Sequence, residues 1–381
     1  MVPSRPTVLH VFNYFAPDFT GEGIYATKMF VHLASLGIEN EVLVTRSHPS
    51  VAGACARLTT PAPHTIHYLP YRLSRRSPEL QLAFWLLRHG RRYNVVHYHS
   101  HCDRRFLSLL VARTLGLRVL MSCTLDDSPG AVLGSYKPGF RWLAKRLLRL
   151  VNTFVSISPK LHGDPGGVVP DDRHLLIPQG VEVPCAPRHE RCRLRQELGV
   201  GDEHLVLLFV GALCERKNPI FLIEQLPAIL ERHPRASLYL VGPTTEDAYA
   251  RRLVERANEL GLAHAVRFVG FTARTEDWYA VADLMLFSST NEGFGNVLLE
   301  AMAHGVPVVA RRLPGVTDSY IVHEESGMLF DDTADYLRSV YALAADPALR
   351  ERVGAKARAV AIERFPLSQV AQRYAALYTS R

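Results

Sequence analysis

The sequence predicts an α/β chain of two doubly wound units, each a parallel sheet with helices on both faces. Three observations carry this. At 381 residues the chain exceeds one ordinary core and suits two domains of ordinary size. Its apolar share is 48%, with no low-complexity tract, so the chain folds rather than staying disordered. Short β-rich apolar runs alternate with segments of helical period almost from end to end, the mark of parallel strands joined by crossover helices.

The first alternation predicts strands at Thr7–Phe12, Glu41–Thr45, Val95–His99, Val119–Met121, Phe154–Ile157 and His174–Ile177. Amphipathic helices such as Ile24–Leu36 and Arg104–Leu115 lie between them. After Ile177-Pro178-Gln179-Gly180 the composition changes: Val181 to Arg195 carries Pro184, Pro187 and several charges, and reads as a linker into a helix. The domains are therefore set at 1–182 and 183–365, with a last helix at about 366–381 expected to pack back on the first. The second alternation runs through strand Leu205–Val210, helix Pro219–Arg232, strand Ser237–Val241, helix Thr245–Leu260, strands Val266–Val269 and Leu284–Phe287, helix Asn296–His304 and strand Val306–Ala310. Doubly wound sheets take ligands at the carboxyl ends of their strands.

No uninterrupted apolar run is long enough to cross a bilayer. Met1 to Arg5 leads straight into a strand, without signal-peptide architecture. Six cysteines are scattered without CxxC spacing, which argues against a zinc cage or disulfide framework and fits a reducing cytoplasm. Charge is uneven: residues 1–182 hold 21 Lys/Arg against 12 Asp/Glu, a balance of +9, which leaves −2 on the remainder of a chain of net +7. A basic half suits a polyanionic partner such as a lipid surface or an anionic acceptor, unless it only reflects Arg-rich composition. No nucleic-acid motif accompanies it, so nucleic acid is not expected as a partner.

The richest stretch is Ser288-Ser289-Thr290-Asn291-Glu292-Gly293-Phe294-Gly295-Asn296-Val297-Leu298-Leu299-Glu300. It follows a buried strand and opens a helix. Gly293 and Gly295 let backbone come close to a ligand, and the N–H groups at the helix start form an anion site aided by the helix dipole. Glu292 before the helix and Glu300 within it suit pairs of sugar hydroxyls, because a carboxylate accepts several hydrogen bonds. The plain alternative has Glu292 capping the helix and Glu300 in solvent; the strand, glycine-rich turn and helix in series favour the ligand reading. A second strand-to-helix turn, Gly211-Ala212-Leu213-Cys214-Glu215-Arg216-Lys217-Asn218-Pro219, offers a guanidinium and an ammonium to a diphosphate.

Together these elements resemble the retaining glycosyltransferases of family 4, which have the GT-B fold of two Rossmann-like domains facing across a cleft. The E-x7-E element is Glu292 to Glu300, followed by Ala301-Met302-Ala303-His304-Gly305-Val306-Pro307. The family's strand–glycine–basic turn corresponds to Gly211 through Lys217, its Ile-Pro-Asn-Gly-Val to Ile177-Pro178-Gln179-Gly180-Val181, and its later Gly-x-Leu strand to Gly327-Met328-Leu329. The resemblance implies a metal-independent hexosyltransferase with a UDP- or GDP-sugar as co-substrate and no other cofactor.

It implies that Glu300 holds the nucleotide ribose and Glu292 the donor-sugar hydroxyls. Gly293, Phe294 and the N–H groups of Gly295, Asn296 and Val297 line the sugar and phosphate pocket. Arg216 and Lys217 neutralise the leaving diphosphate, and backbone at Phe271 meets the base. A glycine loop at Pro17 through Gly23, with Gly21 and Gly23, approaches the donor phosphate. Three departures stand out, the first being that the family's glycine pair reads here as Gly21-Glu22-Gly23. Ala212 replaces the basic residue after the strand glycine, so Arg216 supplies that charge. The family histidine after the fourth N-terminal strand is absent from Met121-Ser122-Cys123-Thr124-Leu125-Asp126-Asp127. Asp126 and Asp127 are the acceptor-side candidates, and helix capping is their plain alternative.

His97, His99 and His101 alternate along one strand, but nothing in sequence completes a metal site, and none is expected. Segment Lys137–Val151 has helical spacing: Phe140, Leu143, Leu147, Leu150 and Val151 form a stripe expected to face the core. Lys137, Arg141, Trp142, Lys145, Arg146 and Arg149 form a cationic face with one aromatic, suited to an anionic membrane surface, with a plain solvated face as the alternative. The expected protein is thus cytoplasmic, peripheral on the inner face of a membrane, and active on a glycan, lipid-linked or small-molecule acceptor. The rival is a non-catalytic GT-B protein that binds sugar nucleotides or carbohydrate.

Overall fold

Apolar runs flanked by turn residues become strands in both halves of the computed structural model. It describes residues 6–15, 20–46, 64–69, 78–99, 106–164, 167, 169–184, 188–197, 200–201 and 203–380. Two units result: residues 1–179 with 367–381, and residues 180–366.

The first unit holds β1 (Thr7–Phe12), β2 (Glu39–Val44), β3 (His64–Tyr68), β4 (Val95–His99), β5 (Arg118–Cys123), β6 (Thr153–Ser156) and β7 (His174–Leu176). They form one parallel sheet in the order β3-β2-β1-β4-β5-β6-β7. Chain order reverses between β1 and β4, so the loops after these two strands diverge to open a crevice. Both are almost wholly buried, as strands covered on two faces must be. β3 was not expected, because His64-Thr65-Ile66-His67-Tyr68 is a polar edge strand without a continuous apolar run. The helix Leu367–Thr379 shares a core with the helix Gly21–Ser35, through Leu367, Val370, Tyr374 and Tyr378 against Met29, Phe30 and Leu33. Full burial of each such aliphatic side chain contributes about 1.5–3 kcal/mol.

The second unit holds β8 (Leu205–Val210), β9 (Ala236–Val241), β10 (Val266–Gly270), β11 (Leu284–Phe287), β12 (Val308–Arg311) and β13 (Met328–Phe330). They form a parallel sheet in the order β10-β9-β8-β11-β12-β13, with the reversal between β8 and β11. Helix Arg188–Glu197 is pinned below it: Arg191 and the buried Arg195 both reach Asp283, at 2.7 and 3.2 Å. At Gly242, after β9, a Cβ atom would lie 1.9 Å from the carbonyl oxygen of Gly211, so only glycine lets the turns after β8 and β9 touch.

Two expectations are corrected. Gly21 and Gly23 sit in the first turn of a helix rather than in a loop. Thr20 caps that helix, its hydroxyl accepting from the Gly23 amide at 2.9 Å; Pro17 lies outside the described residues. The Lys137–Val151 segment is a short 3-10 turn, Pro138–Phe140, then an α-helix, Arg141–Leu148. Its inward side is Ala144, Leu148 and Val151, while Phe140 and Leu143 are exposed. Pro138 and the tight turn delay helix onset to Arg141, and the small Ala144 lies on the side that packs against the helices Phe106–Thr114 and Pro129–Gly134.

Candidate functional site

The topological reversal in the second unit brings two loops together: the one after β8, carrying Arg216 and Lys217, and the one after β11, carrying Glu292. Backbone and hydroxyl bonds stitch them. Ser288 Oγ donates to the carbonyls of Lys217 and Asn218 at 3.1 and 2.8 Å. The Thr290 amide donates to Arg216 O at 2.9 Å, and Arg216 Nη1 donates to Asn291 O at 2.8 Å. Asn218 turns the chain at φ 52°, a left-handed conformation that asparagine tolerates better than most residues, before Pro219 opens the helix Pro219–Arg232.

Both cations converge on one oxygen of Glu292. Lys217 Nζ lies 2.5 Å and Arg216 Nη1 2.9 Å from Glu292 Oε1. The Glu292 side chain is only 9% exposed and that of Lys217 13%. Burial pushes the Glu292 carboxyl pKa up, but Lys217 and Arg216 outweigh it and hold the group below the ordinary carboxylate range. The result is a largely buried cluster of one negative and two positive charges, in which the Arg216 side chain is 36% exposed.

Beside it, helix Asn296–Ala303 starts at Gly295, φ 92°, an N-cap residue with no side chain to bond the first turn. A Cβ atom on Gly295 would lie 3.2 Å from the Tyr320 hydroxyl, which itself donates to Phe294 O at 2.9 Å. Gly293 and Phe294 are buried in this turn, and Asn296 and Val297 stand at the helix start. Glu300 lies one turn and more along, where the buried Tyr279 donates its hydroxyl to Oε2 at 2.9 Å. Sequence reasoning missed Tyr279, whose only local signal is an aromatic in the short helix Thr275–Val281. Phe271, at the end of β10, is 44% exposed.

The two aspartates of the first unit separate. Asp127 Oδ1 accepts from the amides of Thr124 and Leu125 at 2.6 and 3.1 Å and is buried, so it shapes its own loop. Asp126 is exposed and lies 3.4 Å from Lys160 Nζ. The histidines also regroup: His97 and His99 meet His10 of β1, while His101 lies outside the described residues. No described helix is long and apolar enough to cross a membrane.

Known sequences and structures agree with this architecture. The sequence model for Glycosyl transferases group 1 matches residues 204–346, and that for the Glycosyl transferase 4-like domain matches residues 20–180. An N-acetyl-alpha-D-glucosaminyl L-malate synthase from Bacillus anthracis is 25% identical over 372 residues, covering 95% of this chain and 94% of the relative. A D-inositol 3-phosphate glycosyltransferase from Streptomyces bingchenggensis is 33% identical over 202 residues, 50% of this chain and 44% of that protein. Anabaena HepE in complex with UDP and glucose superposes with a TM-score of 0.77 at 19% identity, over 99% of this chain and all of HepE. WaaG, a glycosyltransferase involved in lipopolysaccharide biosynthesis, gives 0.75 at 18% identity over 98% of this chain and 100% of WaaG. Matched in both halves, the chain belongs to the group 1, family 4-like glycosyltransferases, enzymes of the GT-B fold.

Proposed function

We propose that this enzyme transfers a hexose-type sugar from a UDP- or GDP-linked donor to a hydroxyl of a glycan, lipid-linked or small-molecule acceptor. The reading includes retention of anomeric configuration and no divalent metal on the donor. It rests on one observation: Lys217 and Arg216 share a buried carboxylate beside the start of the Asn296 helix, whose N-cap is Gly295. A bound diphosphate takes over the two cations and the helix amides, which then stabilise the negative charge that grows on the leaving phosphate. Glu292, displaced from the cations, accepts from donor-sugar hydroxyls. Glu300, oriented by Tyr279, takes the ribose hydroxyls.

In the transfer the bond from the anomeric carbon to the β-phosphate oxygen breaks and the acceptor oxygen bonds to that carbon. The acceptor proton passes to the leaving phosphate, so no side chain is needed as general base. Asp126 is the better of the two acceptor-side aspartates, since Asp127 is occupied by backbone amides. The names of the malate and inositol phosphate relatives support a hydroxyl-bearing small molecule, and the UDP complex of HepE supports a uridine donor.

The test is a thermal-stability screen over UDP- and GDP-sugars, followed by turnover with and without excess chelator. A donor at a hundred times its dissociation constant stabilises by about 2.7 kcal/mol. No shift with any nucleotide sugar would refute the donor site. Activity abolished by chelator and restored by magnesium or manganese would refute metal independence.

The exposed face of the Arg141–Leu148 helix supports docking on anionic lipid at the cytoplasmic surface of a membrane. Phe140 and Trp142 are 62% and 60% exposed, and the Arg146 guanidinium stacks 5.5 Å above the Trp142 ring. With Lys137, Arg141, Lys145 and Arg149 this face offers about 1 kcal/mol of attraction per cation near the lipid. Liposome co-sedimentation should show salt-sensitive binding to anionic vesicles only. Equal, negligible binding to anionic and neutral vesicles would favour a soluble acceptor.

A further inference from the structure

The reversal point of the first unit carries a polar cluster that the donor chemistry does not use. β1 and β4 run side by side with His10 opposite His97, so their imidazoles share one face, and His99 follows two residues on. One ring nitrogen from each of the three lies within 4.8 Å of the others. His10 Nδ1 and His99 Nε2 are 3.0 Å apart. They border a cavity of about 30 Å³, which Glu22, Ser122 and Gln179 also line. That volume holds an ion and a water or two but no sugar.

His10 and His97 each have a hydrogen-bonded outer partner, and His99 faces a carboxylate. Asn40 Nδ2 donates to Ile38 O at 3.1 Å, which leaves Asn40 Oδ1 to accept from His10 Nε2 at 3.0 Å. The lone pair of His10 is therefore on Nδ1, toward His99. His97 Nδ1 is engaged by the Tyr378 hydroxyl at 2.7 Å, and its Nε2 meets the rotatable Ser122 hydroxyl at 2.8 Å. His99 Nδ1 lies 3.6 Å from a Glu22 carboxylate oxygen. If the His99 proton sits on Nδ1 against Glu22, Nε2 is released as a second lone pair. Closing the gap between His99 and Glu22 to hydrogen-bond distance would give the carboxylate–histidine arrangement that orients metal-binding imidazoles. Burial lowers the pKa of all three imidazoles, and for His10 and His97 the neighbouring imidazoles lower it further. Gln179 Oε1 is buried on the same cavity without a hydrogen-bond partner among the described residues, and a metal-bound water would donate to it.

We propose that His10, His97 and His99 bind one divalent first-row transition cation of the zinc type, with a water as fourth ligand. The widest nitrogen separation has to close to about 3.4 Å, the edge of a tetrahedron with metal–nitrogen bonds of about 2.1 Å. The ion joins β1 to β4 and, through Glu22, to the start of the first helix. Its role is structural and its test is metal content, which does not depend on turnover.

Full-length, tag-free protein is stripped with chelator, dialysed against zinc or cobalt at neutral pH, and its metal content measured. One ion per chain is expected, with the cobalt form giving the intense d–d bands of a four-coordinate site. His99→Gln, the most accessible of the three, and His10→Gln should each weaken affinity beyond the roughly 10–100-fold cost of an outer-shell loss, which Asn40→Ala should show. His264→Gln, exposed in the second unit, should bind as the wild type does. Circular dichroism checks the fold of each variant; if either histidine variant is unfolded, Asn40→Ala and Glu22→Gln decide. Content well below one ion per chain, or uptake unchanged by these substitutions, would overturn the site.

Discussion

Replacing Lys217 by alanine separates the catalytic from the structural role of the cationic pair. The ammonium lies 2.5 Å from Glu292 Oε1, and Arg216 remains 2.9 Å from the same oxygen. Removing one partner of a buried ion pair costs about 3–5 kcal/mol when the remaining charge is left alone. Here Glu292 keeps a guanidinium, and the truncated side chain admits water, so the stability loss should fall to about 1–2 kcal/mol. For a domain of this size that is a drop in Tm of roughly 2–8 °C. Turnover should suffer more, because in the proposed function Lys217 meets charge that develops only as the diphosphate leaves. Loss of one preorganised donor costs about a hundredfold to a thousandfold in kcat. The assay is initial-rate transfer with the donor found in the stability screen, alongside denaturation of the same preparation. Folded Lys217→Ala protein with near-wild-type kcat would refute the assignment. A stability loss beyond 5 kcal/mol would show that Arg216 does not compensate.

Three further outcomes follow from the same geometry. Tyr279→Phe should weaken nucleotide binding about fivefold with little change in kcat, since it removes one hydrogen bond of about 1 kcal/mol to Glu300; calorimetry with the nucleoside diphosphate checks this. The folded Glu292 carboxyl has a pKa below its unfolded value of 4.5, so its contribution is complete above that pH and is lost as pH falls through the folded value. The stability gap between wild type and Glu292→Gln should thus stay flat from pH 5 to 8 and change only below about 4.5, as read by denaturant titration. Gly242→Ala should destabilise the second unit by about 3 kcal/mol or more, because its Cβ would sit 1.9 Å from Gly211 O; a normal Tm would show that this turn relaxes.

Local chemistry made much of this protein legible in its sequence. β1, β4, β8 and β11 stand where their apolar runs lie, because a strand buried on both faces needs a continuous run that little else produces. The turn from Ser288 to Gly295 is readable for a similar reason: small and glycine residues between a buried strand and a helix have few other uses. What sequence could not supply is strand order. Glu292 meets Lys217, 75 residues away, because β11 pairs with β8 rather than with its chain neighbour β10. His10 meets His97 because β1 pairs with β4. The polar edge strand β3 has no local pattern to betray it, and Tyr279 reaches Glu300 only through packing of separate helices. The inward side of the Arg141 helix was likewise decided by close approach at Ala144, a small residue that hydrophobic periodicity hardly counts. Periodicity and turn chemistry are written within a few residues, whereas pairing and packing depend on which distant surfaces exclude water together.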